Sequence, residues 1–485
     1  MYVPQGISYV VEILNKSTKY MVYYDPDPDG LVAGSFVTKL LTDFGKESIY
    51  YINENREHGF MIPLETLERY RGYTIIAVDF SISNELLKQI VDLGLNIINI
   101  DHHETLNKTL FTYSNNNYSA ILINNQYEFE PLEQRFQSGA GMVYYTFASL
   151  FPDYMINHQN EALVGLTLIS DVRELENENA SYFLSKLYSW KGSYTNYLIE
   201  LAQGEKQYNF GVQRVLDRNF LDYSLLPKFN ALFRLNMGDI AIKLFNRVPY
   251  NIDLSEVRHR QQLIVDNLMK SLTDMSLDNL TMMSVDISGF ENNEYKITNF
   301  IGLVCGRIKD MKEKTAFLFV KDKDKVVRGS VRGVYDNVDY LAVFRKYGVN
   351  CAGHKGAFGV REFVVTDVDF VALSKEIYEL ELKEKELAKN DKRYIKVANL
   401  KIATLNEIKI PMYNVYVRDN KRMLYDCSDC NYRKTYESAS KDYVQYSIDG
   451  ISVKCFDKTL TPKNGGYVMP MMVNGYIEYY LRRRI

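Results

Sequence analysis

Three times within the first 105 residues an apolar run ends on an acid. Residues 20 to 24 (YMVYY) lead into Asp25-Pro26-Asp27-Pro28-Asp29-Gly30, and an apolar-periodic stretch, LVAGSFVTKLLTDF, follows as far as Gly45. Residues 74 to 78 (TIIAV) run into Asp79, after which Ser83 or Asn84 can cap a helix through ELLKQIVDL to Gly94. Residues 95 to 100 (LNIINI) deliver Asp101-His102-His103. Continuous apolar strands alternating with helices predict a parallel sheet covered on both faces, and such sheets place ligands beyond the carboxyl ends of their strands. The three acidic clusters are therefore expected on one edge. A fourth contributor is the helix-like run from Ala162 to Ile169, which ends at Asp171.

Each X-Pro step pushes the preceding residue out of the helical region, so Pro26 and Pro28 are expected to hold Asp25 and Asp27 extended. Residues two apart in an extended chain share a side, which would align Asp25, Asp27 and Asp29 as a row of like charges. Their repulsion is relieved by cations. The same hexapeptide opens a calcium-binding EF-hand loop, but that loop needs a Glu at its twelfth position and a helix before it. Here the twelfth residue from Asp25 is Phe36 and a strand-like run precedes the acids. An ordinary solvated Asp turn is the other reading of the hexapeptide alone, and the further acid clusters weigh against it. Carboxylates with one or two imidazoles suit Mn²⁺ or Mg²⁺ better than zinc. Mn²⁺ is the expectation, as two ions roughly 3.5–4 Å apart, the arrangement used in phosphoryl displacement.

Composition narrows the setting. At 485 residues the chain is long enough for roughly two to four domains. No apolar run reaches the roughly 18 residues of a membrane helix. The N-terminus lacks a basic start followed by an apolar stretch. Five cysteines are too few and too odd in number for a disulfide framework. A cytoplasmic protein with no membrane contact is expected. The formal charge of -3 excludes a broad polycationic coat, so any nucleic-acid contact has to be local. The 39 tyrosines could serve as stacking platforms for bases, although an AT-biased coding sequence explains them equally well. Cys427-Ser428-Asp429-Cys430 invites a zinc site, but only Cys455 lies downstream and a fourth ligand is missing. Arg482-Arg483-Arg484 reads as a solvated basic terminus.

The order of these segments carries a resemblance. Asp25 to Gly30, Val78-Asp79, Asp101-His102-His103 and Ser170-Asp171-Val172 look like motifs I to IV of the DHH phosphoesterase superfamily. Ala352-Gly353-His354-Lys355-Gly356-Ala357-Phe358-Gly359 resembles the G-G-H-x-x-A-x-G loop of its second domain, DHHA1. Several segments resemble the RecJ branch: Asn55 to Phe60 (NREHGF), Ser138 to Gly141 (SGAG), Asp171 to Asn179, Pro227 to Arg234, and Arg328 to Arg332. The resemblance covers about residues 20 to 360. The sequence departs from the family at Phe233, Ala352 and Gly333, which stand where the family has Gly, Gly and Ser. Those departures bear on how closely the backbone approaches substrate.

The resemblance implies an α/β fold: a DHH domain with a parallel sheet flanked by helices, joined by a long helix to a smaller α/β DHHA1 domain. A β-rich C-terminal domain follows, for which an oligonucleotide-binding barrel is the expectation. The domains would span 1–250, 251–275 for the connecting helix, 276–390 and 391–485. Metal ligands would be Asp27, Asp29, Asp79, His102 and Asp171, with Asp25 as ligand or close neighbour. Asp101 and His103 would orient His102 and the scissile phosphate, and His354 would contact phosphate. Arg56, Asn230, Arg234, Ser330 and Arg332 would hold the nucleic-acid strand. The implied activity is exonucleolytic hydrolysis of single-stranded DNA, 5′ to 3′, by a monomer, with a single-strand-binding protein or a helicase as candidate partners. A hydrolase of short oligonucleotides or cyclic dinucleotides is one alternative. A catalytically inactive single-strand-binding replication factor is the other.

Overall fold

In the computed structural model the chain is described except at residues 1, 106, 116, 172–177, 204–215, 217–219, 274–282, 291–295, 313, 324, 336, 391–424, 427–431, 440–442, 449–450, 463–465, 474–475 and 484–485. Cys427, Cys430, Arg484 and most of the Asp171 to Asn179 run therefore lie outside the described residues. The chain divides into two compact units, Met1–Asp274 with Phe290–Phe300, and Met275–Gly289 with Ile301–Ile485. No described helix is long and apolar enough to cross a membrane.

The first unit is built on a six-stranded sheet. Its strands are β1 (Lys19–Tyr24), β2 (Glu47–Ile52), β3 (Thr74–Val78), β4 (Asn96–Asp101), β5 (Phe111–Asn115) and β6 (Tyr118–Asn124), in the order β2-β1-β3-β4-β6-β5. All neighbours pair parallel except the edge strand β5, which pairs antiparallel with β6. Strands β3 and β4 are buried along their whole length, as the continuous apolar runs require of a sheet covered on both faces. Side chains alternate between two cores. Val22 and Tyr24 of β1 join the larger one, with helices Pro28–Asp43, Gly139–Ala148 and His158–Ser170. Met21 and Tyr23 join the smaller one, against helix Asn84–Asp92. The chain leaves β1 for β2 on one side and returns to β3 on the other. The order thus reverses between β1 and β3, where doubly wound sheets open a crevice beyond their strand ends.

Helix starts fix where the acids sit. Asp27 is the N-cap of helix Pro28–Asp43, with its Oδ1 accepting from the N–H groups of Asp29 and Gly30 at 3.0 Å each, and Pro28 fills the first helical position. Asp27 is extended, as its proline predicts, but the expected row of three aligned acids does not continue. Pro28 begins the helix and turns Asp29 into its first turn. A Cβ at Gly30 would lie 2.5 Å from the Asp25 carbonyl oxygen, so this tight strand-to-helix turn admits only glycine there.

The second unit holds two sheets. One has strands β7 (Met283–Asp286), β8 (Ala316–Asp322), β9 (Lys325–Arg332), β10 (Cys351–His354) and β11 (Ala357–Val360) in the order β10-β11-β9-β8-β7, with β12 (Phe363–Val364) paired to β9. Its β7 and β8 are parallel and the remaining pairs antiparallel. Helices Ile301–Lys312, Tyr340–Lys346 and Phe370–Asn390 complete this α/β part. The other sheet has strands β13 (Tyr425–Asp426), β14 (Tyr432–Glu437), β15 (Val444–Ile448), β16 (Ile451–Cys455), β17 (Gly466–Val473) and β18 (Tyr476–Arg483), in the order β13-β17-β18-β16-β15-β14. Only β16 and β18 pair parallel. The parallel α/β domain, the long helix Leu254–Thr273, the smaller α/β part and the β-rich C-terminal sheet are the architecture expected from the sequence.

Candidate metal centre

Strands β1, β3 and β4 each deliver an acid at their carboxyl ends, at the point where the strand order reverses. Asp25, Asp29, Asp79, Asp101 and His102 are all buried, at 1%, 3%, 3%, 0% and 1% exposure. Asp27 is half-buried and the Asp171 side chain is 18% exposed. His102 Nε2 lies 3.1 Å from Asp79 Oδ1, 3.8 Å from Asp171 Oδ2 and 3.9 Å from Asp29 Oδ2, so one imidazole faces three carboxylates. Donor atoms within 4.8 Å of one another form three groups, the first two sharing His102: Asp79, Asp101, His102 and His103; Asp29, His102 and Asp171; and Asp25, Asp27 and His58.

The scaffold aims these groups by backbone donors. Helix Gly139–Ala148 begins against Asp29, whose Oδ2 accepts from the Gly139 N–H at 2.7 Å and whose Oδ1 accepts from the Ala140 N–H at 2.9 Å. A helix N-terminus carries partial positive charge, which favours a carboxylate there. Ser138 caps that helix through the Gly141 N–H at 3.1 Å. Asp79 adopts a left-handed φ of 70°, its N–H donating to the Ile100 carbonyl at 2.9 Å. Beside it Gly139 is obligatory, since a Cβ there would sit 2.2 Å from Asp79 Oδ1. Asp101 accepts from His103 Nδ1 at 2.8 Å and from the Ser81 hydroxyl. Gln126 donates to the His102 carbonyl at 3.1 Å and to the Arg135 carbonyl at 3.0 Å, fastening the segment behind the imidazole.

Electrostatics divide the site in two. Burial pushes the carboxyls of Asp25, Asp29 and Asp79 well above the usual carboxylate range. Mutual repulsion adds to this, most plainly at Asp79, which feels Asp29, Asp27, Asp25 and Asp171. Asp27 is raised by burial and by Asp25. The pair beside them behaves oppositely. Burial works against both charges, yet the attraction and hydrogen bond between His103 and Asp101 win: His103 is pushed up to about 10 and Asp101 is held well below the usual range. Oδ1 of Asp25 and Oδ1 of Asp79 are buried and accept no hydrogen bond among the described residues. Buried acceptors of this kind are costly unless something positive faces them. Oxygen donors with one or two imidazoles, crowded and undercompensated, fit divalent cations of the Mn²⁺ and Mg²⁺ class.

The expected strand-holding residues are distributed over both units. In the first, Arg56 has a φ of 51° and its charge acts on Asp25 and Asp27, lowering both. Arg234 is 8% exposed, and its Nη1 donates to the Asn299 carbonyl while Asn299 Nδ2 donates to the Arg234 carbonyl at 3.1 Å. Asn230 is half-buried on the same helix, Leu226–Arg234. In the second unit, Arg332 Nη1 donates to Ser330 Oγ at 2.9 Å and to the Val331 carbonyl at 2.8 Å. His354 pairs with Ala357 and Ala357 with Arg332, so His354 and Arg332 occupy one cross-strand row on β10, β11 and β9. Two contributors had no role assigned from sequence. His58, whose Nδ1 hydrogen-bonds Asp25 Oδ2, lies in the NREHGF segment, and Gln126 carries no sequence signal.

Residues 19–170 match the DHH family, N-terminal domain. The chain's particular likeness is to RecJ. It is 23% identical over 379 residues to the single-stranded-DNA-specific exonuclease RecJ of Bacillus subtilis, covering 72% of this chain and 44% of the relative. To RecJ of Haemophilus influenzae it is 21% identical over 366 residues, covering 68% of this chain and 60% of that one. The chain thus spans about half the length of these curated relatives. The crystal structure of RecJ in complex with Mn²⁺ from Thermus thermophilus superposes with a TM-score of 0.66 at 16% identity, over 99% of this chain and 71% of that chain. That likeness is one of fold.

Proposed function

We propose that this protein is a divalent-cation-dependent phosphodiesterase that degrades single-stranded DNA exonucleolytically, 5′ to 3′, to nucleoside 5′-monophosphates. The observation that carries the reading is the convergence of Asp25, Asp29, Asp79 and His102, all nearly inaccessible, with Asp27 and Asp171 at the sheet's switch point. Asp27, Asp29, Asp79, His102 and Asp171 would hold two Mn²⁺ ions, or Mg²⁺, with Asp25 beside them. Bound ions of this kind lower the pKa of a water and neutralise charge on the attacking and leaving oxygens. The chain's own part is to hold the donors still. The Gly139 and Ala140 amides fix Asp29, and the left-handed turn fixes Asp79. Asp101 fixes His103 through Nδ1 and favours its charged form, which would place positive charge where a phosphate oxygen can meet it.

Arg56, Asn230 and Arg234 in the first unit, and Ser330, Arg332 and His354 in the second, would hold strand phosphates, for which the guanidinium fork is suited. Domain limits of 1–250, 251–275, 276–390 and 391–485 accompany this reading. An oligonucleotide-binding role for the C-terminal sheet has its own support. Successive segments β13 and β14 take opposite ends of the strand order, as closure into a small barrel needs. Tyr436, Tyr443, Phe456 and Tyr480 form a run of ring contacts with centroids 5.9, 5.2 and 6.1 Å apart, and Lys454 lies 6.0 Å from the Tyr480 ring. Tyr436 and Phe456 are exposed, so bases can stack on them. DNA repair, recombination or replication in the cytoplasm is the setting proposed, by a monomer with a single-strand-binding protein or helicase as partner.

The test is purified full-length chain with 5′-labelled single-stranded and duplex DNA, in Mn²⁺ and in EDTA. Mononucleotide release from the single strand in Mn²⁺ alone, lost in Asp79→Ala with strand binding retained, is the expected result. Cleavage unchanged by EDTA or by Asp79→Ala would end the proposal, and activity confined to dinucleotides would replace its substrate.

A further inference from the structure

We infer that His58 is a positioning residue of the cation site, acting through Asp25: its Nδ1–H holds one carboxylate oxygen so that the other is presented to the metal. Asp25 is 1% exposed, and its two oxygens have different surroundings. Oδ2 accepts from His58 Nδ1, whereas Oδ1 is buried and accepts no hydrogen bond among the described residues. A buried carboxylate with one oxygen tied and one unsatisfied has a single rotational setting in which the tied oxygen stays bonded. That setting determines where the second oxygen lies. Asp25, Asp27 and His58 have donor atoms within 4.8 Å of one another, so the carboxylate that His58 steers borders the group's other acid.

The placement of His58 fits this role. It sits two residues beyond Arg56, a left-handed residue at the end of the short helical turn Glu54–Arg56, and just before Gly59 at φ 109°. These two reversals bring the His58 ring back over the end of β1. Asn53 secures the bend by donating to the Gly59 carbonyl at 2.7 Å and to the Glu57 carbonyl. The His58 side chain is 41% exposed, so its imidazole is not part of the core, and substitutions at positions this exposed are usually mild. A histidine whose donor nitrogen orients a ligating carboxylate is a recognised way to tune a metal site, and losing such a partner weakens metal binding about 10–100-fold.

This inference rests on the metal reading above, and one titration separates the two. Mn²⁺ binding to the full chain is followed by electron paramagnetic resonance of the free ion, alongside circular dichroism of each variant without metal. Wild type that binds no Mn²⁺ overturns the metal reading itself. With wild type binding, His58→Ala is expected to bind Mn²⁺ about 10–100-fold more weakly, with an unchanged metal-free spectrum and an unchanged KM for the strand. The choice of nitrogen gives the sharper comparison. Asn places its amide N–H where His carries Nδ1, and Gln places it where His carries Nε2, so His58→Asn restores Mn²⁺ affinity and His58→Gln does not. Equal affinity in wild type and His58→Ala, or restoration by Gln rather than Asn, overturns the inference while leaving the metal reading standing.

Discussion

Gly139→Ala tests the site's construction at one atom. The added Cβ would stand 2.2 Å from Asp79 Oδ1, 2.6 Å from Cγ and 2.8 Å from Cβ. Ordinary carbon-to-oxygen contact is more than 3 Å, so about 1 Å of movement is demanded of something. The helix start resists, because the Gly139 and Ala140 amides are bonded to Asp29 and Ser138 caps the turn. The Asp79 backbone resists too, held at φ 70° with its N–H on Ile100. Rotation of the carboxylate relieves the contacts at Oδ1 and Cγ but leaves the one at Cβ, so the whole Asp79 side chain is displaced from its place beside His102. Overpacking of this kind costs about 1–3 kcal/mol of stability. A catalytic group displaced by about 1 Å loses on the order of 100-fold in rate. Single-turnover cleavage of a 5′-labelled strand in saturating Mn²⁺ is the assay, with Mn²⁺ affinity measured on the same preparation. Expected are a rate loss on the order of 100-fold, weakened Mn²⁺ binding and unchanged strand affinity. A folded Gly139→Ala protein with wild-type Mn²⁺ affinity and rate would refute the claim that this glycine sets the position of Asp79.

Three other outcomes are expected. The raised carboxyls of Asp25, Asp29 and Asp79 mean that the metal-free folded state binds more protons than the unfolded chain above the ordinary carboxylate range. Metal-free stability should therefore fall as pH rises through that interval, and Mn²⁺ should abolish the fall; urea melts in EDTA showing rising stability there would contradict this. Arg332→Ala should weaken single-strand binding, leave Mn²⁺ affinity unchanged and lessen the slope of log K against log salt by about 0.7, measured by fluorescence anisotropy. Phe456→Ala should cost about 1–3 kcal/mol of strand affinity by the same assay, and no loss would remove the aromatic run from the binding surface.

The strands that bear acids were legible because they are the most deeply buried: β3 and β4 read as unbroken apolar runs, and their last residues fall where chemistry is recognisable. Strand β2 (ESIYYI) was not legible. It is a sheet edge exposed along most of its length, and its composition carries little periodicity. Strand β6 is apolar but ends at Asn124, so no functional residue marks it. EFVVTDVDF alternates like a strand, yet only Phe363–Val364 pairs, because Asp369 caps the helix that follows, accepting from Val371 and Ala372. In the site, Pro28 both holds Asp27 extended and starts a helix, and the second effect, which local spacing of the acids does not reveal, turns Asp29 out of the row. The contact between His58 and Asp25 spans 33 positions and leaves no local trace.

The return of Phe290–Phe300 to the first unit has a practical consequence. Cutting the chain after Thr273 would seem to release a self-sufficient amino-terminal piece, since helix Leu254–Thr273 ends there. Such a fragment would lack Asn299, whose carbonyl accepts from the nearly inaccessible Arg234 guanidinium and whose side-chain amide donates to the Arg234 main-chain carbonyl, and both bonds would be lost. Losing the hydrogen bond to the buried charged group alone costs about 1.5–3 kcal/mol. Dissection by truncation would injure the amino-terminal piece, and the two halves are better separated functionally by point substitution in the intact polypeptide.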